Sequence, residues 1–390
     1  MKVLMLAFGH PDNVLTLSKN LSKHIDFNLI FFVSGDYYEE GVLNLDLSKL
    51  KFGLNDYKTS YCILPENIRC YLGEDFKIRF LRTYDRKILK DKGLRNFQKV
   101  VNAIKIIKKE NYDLIHFNGI SGFMIYFFLF FRRSKKIWTL HDYVAHTGEE
   151  NKISFKFQKL LMKFDVYYIQ HYKYLQTQLI EYYNISENKV FYVPTGILSI
   201  FNSFKPEYLF SKEERYILFF GRISKYKGID ILFSAFNKLS NKSSKFKLII
   251  AGRGNFWFEL PLNPDIIVLN HYIKTTELVG LIKNSLFIIV PYIDATHSAV
   301  IVTAYAFLKP VIASDVGGLS EVVKDGITGF LVPPKDPIAL AEKIEHLIND
   351  PVLLKTMELN IKKNIDEGEY SWDNITNKMM ELYSSLITRK

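Results

Sequence analysis

The fold is decided by the stretch Gly221-Arg222-Ile223-Ser224-Lys225-Tyr226-Lys227-Gly228, which places two cations five residues apart between glycines. An aromatic-rich apolar run precedes it at 216–220, and an amphipathic run follows at 229–239. The first run predicts a buried strand and the second a helix. A strand, a glycine-bounded turn and a helix start bring backbone N–H groups and the positive end of a helix dipole to one point, where proteins hold anions.

Arg222 and Lys227 add full positive charges at this point, and we call this pair the diphosphate clamp. The Arg guanidinium is a planar fork that can grip two phosphate oxygens, whereas the Lys ammonium is a mobile point charge. The alternative is that both are ordinary surface cations, since most Lys and Arg side chains are exposed. The flanking glycines and the preceding strand favour the anion site.

The length of the chain, 390 residues, exceeds the size at which single hydrophobic cores stop growing, so two domains are expected. Hydrophobic residues make up 48% of the sequence, which argues against extended disorder. The only cysteines, Cys62 and Cys70, form no zinc or redox motif, so we expect no metal site and a reducing compartment.

Alternating apolar runs and helical patterns indicate an α/β fold with two parallel sheets. Alternation runs from a first strand at 2–8 to a strand at 189–193 and restarts at the strand 216–220. We therefore predict an N-terminal Rossmann-like domain at 1–196, a linker at 197–212, a second Rossmann-like domain at 213–365 and a C-terminal helix at 366–390 that packs across both domains.

Three further stretches contain candidate site residues. The pair His141-Asp142 follows a predicted strand directly, at the end where open parallel sheets bind ligands. Gly317 and Gly318 precede an apolar helical run and offer a second set of helix-start amides. Gly9, His10 and Asn13 follow the first strand, but without the glycine pattern that binds dinucleotides, which argues against a nicotinamide enzyme.

The net charge of +11 lies mostly in residues 1–200. The segment Lys77–Lys109 and the cluster 132–136 mix basic with apolar residues, which is typical either of a membrane-surface segment or of a solvated helix face. The longest apolar block, 122–131, is about half of the roughly 20 residues that span a bilayer, so we predict no transmembrane helix. No nucleic-acid-binding motif accompanies the positive charge.

These features together resemble the retaining, nucleotide-sugar-dependent glycosyltransferases of family four-like type, which include bacterial mannosyl- and glucosyltransferases. The resemblance covers nearly the whole chain. It rests on the stretch 221–228, on Ala251-Gly252-Arg253-Gly254, on Pro291–Gly318 and on the run Asp325–Val332. It implies the GT-B architecture, in which two Rossmann-like domains face a central cleft and C-terminal helices cross back to the first domain.

The resemblance implies specific roles for individual residues. His141, Arg222 and Lys227 would act in catalysis, and the acceptor would bind near Gly9, His10 and Asn13. The donor would be a nucleotide-diphosphate sugar, and no cofactor or metal is expected. The implied donor-binding residues are Gly221, Arg222, Lys227, Gly252, Asp294, His297, Ser298, Thr303, Gly317, Gly318 and Glu321.

The sequence departs from the family pattern at two positions. The family usually carries two glutamates separated by seven residues, one reading the donor sugar and one the ribose, whereas here Ala295 and Thr303 occupy those positions. Asp294, His297, Ser298 and Thr303 could supply hydrogen bonds to the sugar and the ribose instead. The donor sugar and the nucleotide base therefore stay open.

The expected function is transfer of a sugar, with retention of anomeric configuration, to an acceptor hydroxyl in bacterial surface polysaccharide or glycolipid assembly. The expected location is the cytoplasm, peripherally on the inner membrane face, with a lipid-linked or saccharide acceptor and an anionic membrane as partners, and no nucleic acid. Two alternatives stay open: a non-catalytic GT-B protein that binds a nucleotide or a partner, and a nucleotide-sugar hydrolase or epimerase.

Overall fold

The computed structural model describes residues 1–84, 93–141, 158–239, 246–260 and 262–389. Asp142 and residues 85–92 of the basic segment lie outside the described residues. The strands of the first half are, in chain order, β1 (Lys2–Ala7), β2 (Asp26–Ser34), β3 (Tyr37–Glu40), β4 (Leu43–Asp46), β5 (Gly53–Leu54), β6 (Ile78–Thr83), β7 (Leu114–Asn118), β8 (Lys135–Thr139), β9 (Tyr167–Gln170) and β10 (Val190–Tyr192).

Eight of these strands form one sheet in the order β10-β9-β8-β7-β1-β2-β6-β5, and β3 and β4 form a separate hairpin. Neighbouring strands are parallel except β5, which runs antiparallel to β6. The helices described in this half are α1 (Pro11–Leu21), α2 (Tyr57–Cys62), α3 (Glu66–Leu72), α4 (Gly93–Lys109), α5 (Met124–Phe130) and α6 (Lys173–Tyr183).

The second half contains a six-stranded parallel sheet. Its strands are β11 (Tyr216–Phe220), β12 (Lys247–Ala251), β13 (Ile266–Leu269), β14 (Ile288–Val290), β15 (Val311–Ser314) and β16 (Gly329–Val332), and their spatial order is β13-β12-β11-β14-β15-β16. The helices are α7 (Ile229–Lys238), α8 (Thr275–Asn284), α9 (Ala299–Tyr305), α10 (Leu319–Val322), α11 (Pro337–Asn349), α12 (Pro351–Asp366) and α13 (Trp372–Thr388).

Each sheet has a topological switch point where the strand order reverses direction, between β1 and β7 in the first and between β11 and β14 in the second. Crevices at the carboxyl ends of such strands are where open α/β sheets bind ligands. The stretch 221–228 follows β11 directly, so the sheet topology places it at such a crevice. The predicted α/β class with two parallel, Rossmann-like sheets is confirmed.

The basic segment Lys77–Lys109 is not a single surface segment. Its first part is the buried strand β6, in which Arg79 and Arg82 are 4% and 5% exposed. Arg79 donates two hydrogen bonds of 2.7 Å to the carboxylate of Glu110, and Arg82 donates to the carbonyl oxygens of Leu47 and Leu50. A cation can be buried when it is paired in this way. Within the described part of this segment, exposed cations lie at Lys77, which pairs with Asp26, and along α4.

The C-terminal helix α13 crosses back and packs against α1 of the first half, as predicted. The contact includes a buried polar bridge: His116 of β7 lies 2.6 Å from the Tyr383 hydroxyl of α13 through Nδ1 and 2.7 Å from Thr139 Oγ1 through Nε2. Among the described residues, no helix is both long enough and apolar enough to cross a membrane.

We expect the free energy of unfolding to fall as the pH is lowered from 6.5 toward 3, partly because of His116. Burial lowers the pKa of His116 from its ordinary 6.5 to about 3 in the folded protein. Within this window the unfolded chain binds a proton at residue 116 and the folded protein does not, which lowers the free energy of unfolding by ~1.4 kcal/mol per pH unit.

The free energy of unfolding of His116→Gln, measured with urea between about pH 7.5 and about pH 5.5, should change less with pH than that of wild type. The exposed His24, replaced by Gln, is the control; equal slopes in both variants would contradict the assignment.

Candidate functional site

The stretch 221–228 is held by contacts between backbones. A Cβ atom on Gly252, at the end of β12, would lie 1.8 Å from the carbonyl oxygen of Gly221, and one on Gly228 would lie 1.9 Å from that of Pro291. Gly228 also has a positive φ of 63° and caps the start of α7. The ends of β11, β12 and β14 therefore approach one another so closely that glycine is required at these points.

The two clamp cations lie on this framework. Arg222 is exposed and lies 3.5 Å from the Tyr226 hydroxyl. Lys227 donates a 2.5 Å hydrogen bond to the hydroxyl of Tyr292, and its ammonium lies 3.8 Å from the centre of the same ring. Tyr292 is buried, and burial raises the pKa of its hydroxyl. The uncharged Tyr292 hydroxyl thus orients the Lys227 ammonium group and does not neutralise its charge.

A cavity of about 540 Å³ opens beside Arg222, and we call it the lower pocket. It lies between the ends of β11 and β12 and the residues that precede α8. The residues that line it are Phe220, Gly221, Arg222, Ile223, Ala251, Gly252, Arg253, Gly254, Tyr272, Ile273 and Leu278. An apolar floor with two guanidinium groups and a tyrosine suits a flat, anionic ligand.

The loop that follows β14 contains the residues that stand where the family has its glutamates. Asp294 and His297 are half-buried, and Ser298 is buried with its hydroxyl 3.4 Å from the Tyr292 hydroxyl. Thr303 is 3% exposed and donates to the backbone carbonyl of Ala299 inside α9, so its hydroxyl is engaged within its own helix.

The predicted residues Gly317, Gly318 and Glu321 surround the same loop. A Cβ on Gly317 would lie 1.8 Å from the carbonyl oxygen of Ala295, and the Gly318 amide donates to the carbonyl of Thr296. The Glu321 carboxylate accepts hydrogen bonds of 2.8 and 2.7 Å from the amides of Lys173 and Tyr174 at the start of α6. Glu321 thus joins the two halves across the cleft.

Four histidines meet where the halves face each other. The ring of His141 lies 4.3 Å from that of His10, 5.6 Å from that of His171 and 6.4 Å from that of His297, measured between ring centres. His141 Nε2 lies 2.8 Å from Asn118 Oδ1, an oxygen that can only accept, so Nε2 carries the proton. Burial, and then the neighbouring His10, lower the pKa of His141 well below its ordinary value. His141 is therefore neutral at pH 7.

These imidazoles line a cavity of about 60 Å³ between the halves, which we call the histidine cavity. His10, in a left-handed conformation with φ 54°, and Asn13 contribute from the start of α1, and His297 contributes from the second half. The Gly9 Cα lies beside the Glu40 carboxylate, because an added Cβ would be 3.2 Å from Glu40 Oε1. Within the described ranges no group of three or more His, Cys, Asp or Glu side chains is arranged to hold a metal ion.

Of the predicted residues, the structure places Gly221, Arg222 and Gly252 at the lower pocket and His10, Asn13, His141 and His297 at the histidine cavity. Neither cavity is lined by the other predicted residues, and the side chains of Thr303 and Glu321 bond to other partners. Sequence reasoning missed Gln170 and His171, which line the histidine cavity. Gln170 is the last residue of β9 and His171 follows it directly, so the strand-end argument that identified His141 after β8 would have found them as well. Sequence reasoning also missed Arg253 and Tyr272 as lining residues of the lower pocket. Arg253 follows β12 and Tyr272 precedes α8, and the sequence does not show that these two loops meet.

Models of two protein families match the chain. The model for glycosyl transferases group 1 matches residues 201–365, and the model for Glycosyltransferase Family 4 matches residues 73–197. The chain is 28% identical over 228 residues to an uncharacterized glycosyltransferase of Methanocaldococcus jannaschii, a match that spans 54% of this chain and 58% of that protein. It is 30% identical over 176 residues to the capsular polysaccharide biosynthesis glycosyltransferase CapM of Staphylococcus aureus, spanning 43% and 45% of the two chains. The chain thus spans about half the length of these relatives.

Solved structures resemble the whole chain. Anabaena HepE, solved in complex with UDP and glucose, has a TM-score of 0.68 at 17% identity, with 99% of this chain and 100% of that chain covered. Sucrose-phosphate synthase of Thermosynechococcus elongatus has a TM-score of 0.69 at 19% identity, with 99% of each chain covered. At these identities the likeness shows the fold, which is GT-B.

We expect Gly228→Ala to cost more stability than Gly326→Ala, although both glycines have similar positive φ values of 63° and 70°. An alanine pays roughly 1–2 kcal/mol for the left-handed conformation. At residue 326 nothing lies within 4 Å of the added methyl group, whereas at residue 228 the methyl group must displace the Pro291 carbonyl, which adds about 1–3 kcal/mol. Urea unfolding of the two variants gives the difference. Equal costs would show that the contact with Pro291 is not a structural constraint.

Proposed function

We propose that this chain transfers a sugar from a nucleotide-diphosphate sugar to an acceptor hydroxyl. Its two parts match the models for Glycosyltransferase Family 4 and for glycosyl transferases group 1, and its fold is GT-B. The observation that carries the proposal is the position of the diphosphate clamp. Arg222 lines the lower pocket. Lys227 bonds to the Tyr292 hydroxyl, which lies 3.4 Å from the Ser298 hydroxyl. The residue before Ser298 is His297, which lines the histidine cavity.

The proposed donor therefore extends from one cavity to the other. Its base and ribose occupy the lower pocket, whose 540 Å³ suits a nucleoside. Its diphosphate lies between Arg222 and Lys227, near the start of α7, and its sugar points toward His297 and His141. The structures of Anabaena HepE with UDP, with UDP and glucose and with UDP-glucose support a nucleotide sugar as donor, although the base and the sugar here are not assigned.

In the proposed reaction the bond between the anomeric carbon and the diphosphate oxygen breaks, and the diphosphate leaves with the electron pair. The acceptor oxygen bonds to the anomeric carbon from the same face, and its proton passes to the leaving diphosphate. Arg222 and Lys227 stabilise the negative charge that grows on the leaving group. Stabilisation of developing charge by preorganised groups is usually the largest single contribution to catalysis. Neutral His141 orients the sugar, with no cofactor beyond the donor itself.

The histidine cavity, with about 60 Å³, is too small for a sugar ring and holds only a few waters. We therefore propose that the two halves separate to admit substrates and close for reaction, which excludes water that would otherwise hydrolyse the donor. The contact of Glu321 with the start of α6 lies across the moving boundary and would break on opening.

The substitutions at the two glutamate positions favour a second candidate, a GT-B protein that binds a nucleotide without catalysis. Ala295 has no polar side-chain atom, and the Thr303 hydroxyl is engaged inside α9. Transfer and binding without catalysis are distinguished by measuring both nucleotide binding and sugar release. A protein that binds nucleotide but releases sugar from no nucleotide sugar supports the non-catalytic function. A hydrolase or epimerase would instead consume donor at the same rate without an acceptor.

We propose that the acceptor is lipid-linked and that the protein lies on the cytoplasmic face of the membrane, in assembly of a bacterial surface polysaccharide or glycolipid. Helices α4 and α5 meet through Phe97 and Tyr126, whose ring centres are 5.1 Å apart. Their exposed faces combine apolar side chains with cations. The exposed apolar residues are Leu94, Phe97, Ile106, Leu129 and Phe130, and the exposed cations include Arg95, Lys105, Lys108, Lys109, Arg132 and Arg133. Such a surface gains from both charge and apolar burial at an anionic bilayer.

Replacing Arg222 or Lys227 with Ala should lower turnover by roughly 10²–10³-fold, since each removes a group that stabilises the leaving diphosphate. Lys225→Ala, an exposed cation of the same loop, is the matched control and should keep wild-type turnover. The assay follows release of nucleotide from a panel of radiolabelled nucleotide sugars with membrane extract as acceptor, and thermal melting confirms folding. If both clamp variants turn over normally, the proposed donor site is wrong.

Binding to anionic liposomes should depend on the surface of α4 and α5. Lys105→Glu with Lys109→Glu should abolish flotation with phosphatidylserine-containing vesicles at moderate salt, because each lysine near the surface contributes about 1 kcal/mol and reversal makes it repulsive. Lys362→Glu with Lys363→Glu, the same charge change on exposed α12 positions, should retain flotation. Loss of binding in both double variants would indicate a general charge effect, and no binding by wild type would remove the membrane assignment.

A further inference from the structure

Gln170 and His171, at the end of β9, line the histidine cavity, and each has a side-chain hydrogen-bond acceptor. His171 Nδ1 lies 2.8 Å from the carbonyl oxygen of Val193. A carbonyl can only accept, so Nδ1 carries the proton and Nε2 holds a lone pair. Gln170 donates from Nε2 to the carbonyl of Leu140 at 3.0 Å, which leaves its Oε1 as an acceptor as well.

Both acceptor atoms are buried and, within the described part of the chain, have no hydrogen-bond partner. The same holds for Oδ1 of Asn13, which lines the cavity from α1. Buried polar atoms in folded proteins are almost always paired, because desolvation without a hydrogen bond is unfavourable. Three acceptors without partners, on three residues that line one cavity, therefore point to a ligand that supplies hydrogen-bond donors.

We propose that His171 and Gln170 accept hydrogen bonds from hydroxyl groups of an uncharged sugar or polyol, which reach the histidine cavity once the two halves have separated to admit it, and that they select against a phosphate or carboxylate there. This inference rests on the proposed function, since it concerns what the same cleft binds. The hydroxyls belong either to the transferred sugar or to the acceptor.

The selectivity follows from the charge of the lining atoms. Burial lowers the pKa of His171 to about 4, so its lone pair is retained at pH 7. An anionic group beside Nε2 of His171 and Oε1 of Gln170 would face lone pairs and leave its own oxygens without donors. A hydroxyl presents a proton to either atom and can accept from a neighbour in turn.

The test uses the full chain labelled with ¹⁵N-histidine, and His171→Asn identifies the His171 resonances. Asn also keeps an amide that can donate to Val193 while removing Nε2. The probes are UDP-glucose, UDP, methyl α-D-glucopyranoside and glucose 6-phosphate. We expect the Nε2 resonance to move with an uncharged sugar group and to stay unchanged with UDP and glucose 6-phosphate. Movement with UDP-glucose assigns the hydroxyl to the donor sugar, and movement with the glucoside assigns it to the acceptor.

The affinity of the responding probe should fall about three- to tenfold in His171→Asn, the loss expected for one neutral hydrogen bond, and should be unchanged in the His24→Asn control. An Nε2 resonance unmoved by both sugar probes, or moved equally by glucose 6-phosphate, overturns the inference. Failure of the proposed function is a separate result, because it would appear as absent UDP binding and absent turnover in wild type.

Discussion

The close approach of three backbone segments at the carboxyl ends of β11, β12 and β14 is the constraint on which the second half of the site depends. Carbonyl oxygens of Gly221 and Pro291 occupy the space that side chains of Gly252 and Gly228 would need. Since a backbone contact has no rotamers, it fixes the loop 221–228 more rigidly than side-chain packing could. Arg222 and Lys227 are thereby displayed from a frame that does not need to reorganise when a charged ligand arrives, and preorganisation of this kind is what makes fixed cations effective.

The first half contributes a different kind of environment. Its cleft face includes the imidazoles of His141 and His171, which burial keeps neutral. The loop 221–228 of the second half instead carries the cations Arg222 and Lys227. In the proposed arrangement the cationic loop would face the diphosphate of the donor, and the two neutral imidazoles would face its sugar.

Much of the fold could be predicted from apolar runs. The strand at Tyr216–Phe220 has the predicted bounds, because continuous apolar runs between turn residues are typical of buried parallel strands. The buried strand β6 is not predicted, because Arg79 and Arg82 resemble surface residues until Glu110 and the carbonyls of Leu47 and Leu50 are known to contact them. Pairing between residues about 30 positions apart leaves no local signal. The contact of Glu321 with α6 could not be predicted for the same reason.

The loop at residues 295–303 shows that backbone geometry and side-chain chemistry are specified separately in this fold. Ala295 and Thr303 stand where the resembling family has glutamates, yet the Ala295 carbonyl packs on Gly317 and the Thr296 carbonyl accepts from the Gly318 amide. These contacts involve only main-chain atoms, and the loop makes them without a carboxylate at position 295 or 303. The shape of this part of the site therefore does not require the two glutamates of the resembling family. In the proposed donor site the clamp would hold the diphosphate, whereas the sugar would meet other side chains of this loop, which carries Asp294, His297 and Ser298. The reaction class and the identity of the sugar would thus depend on different residues.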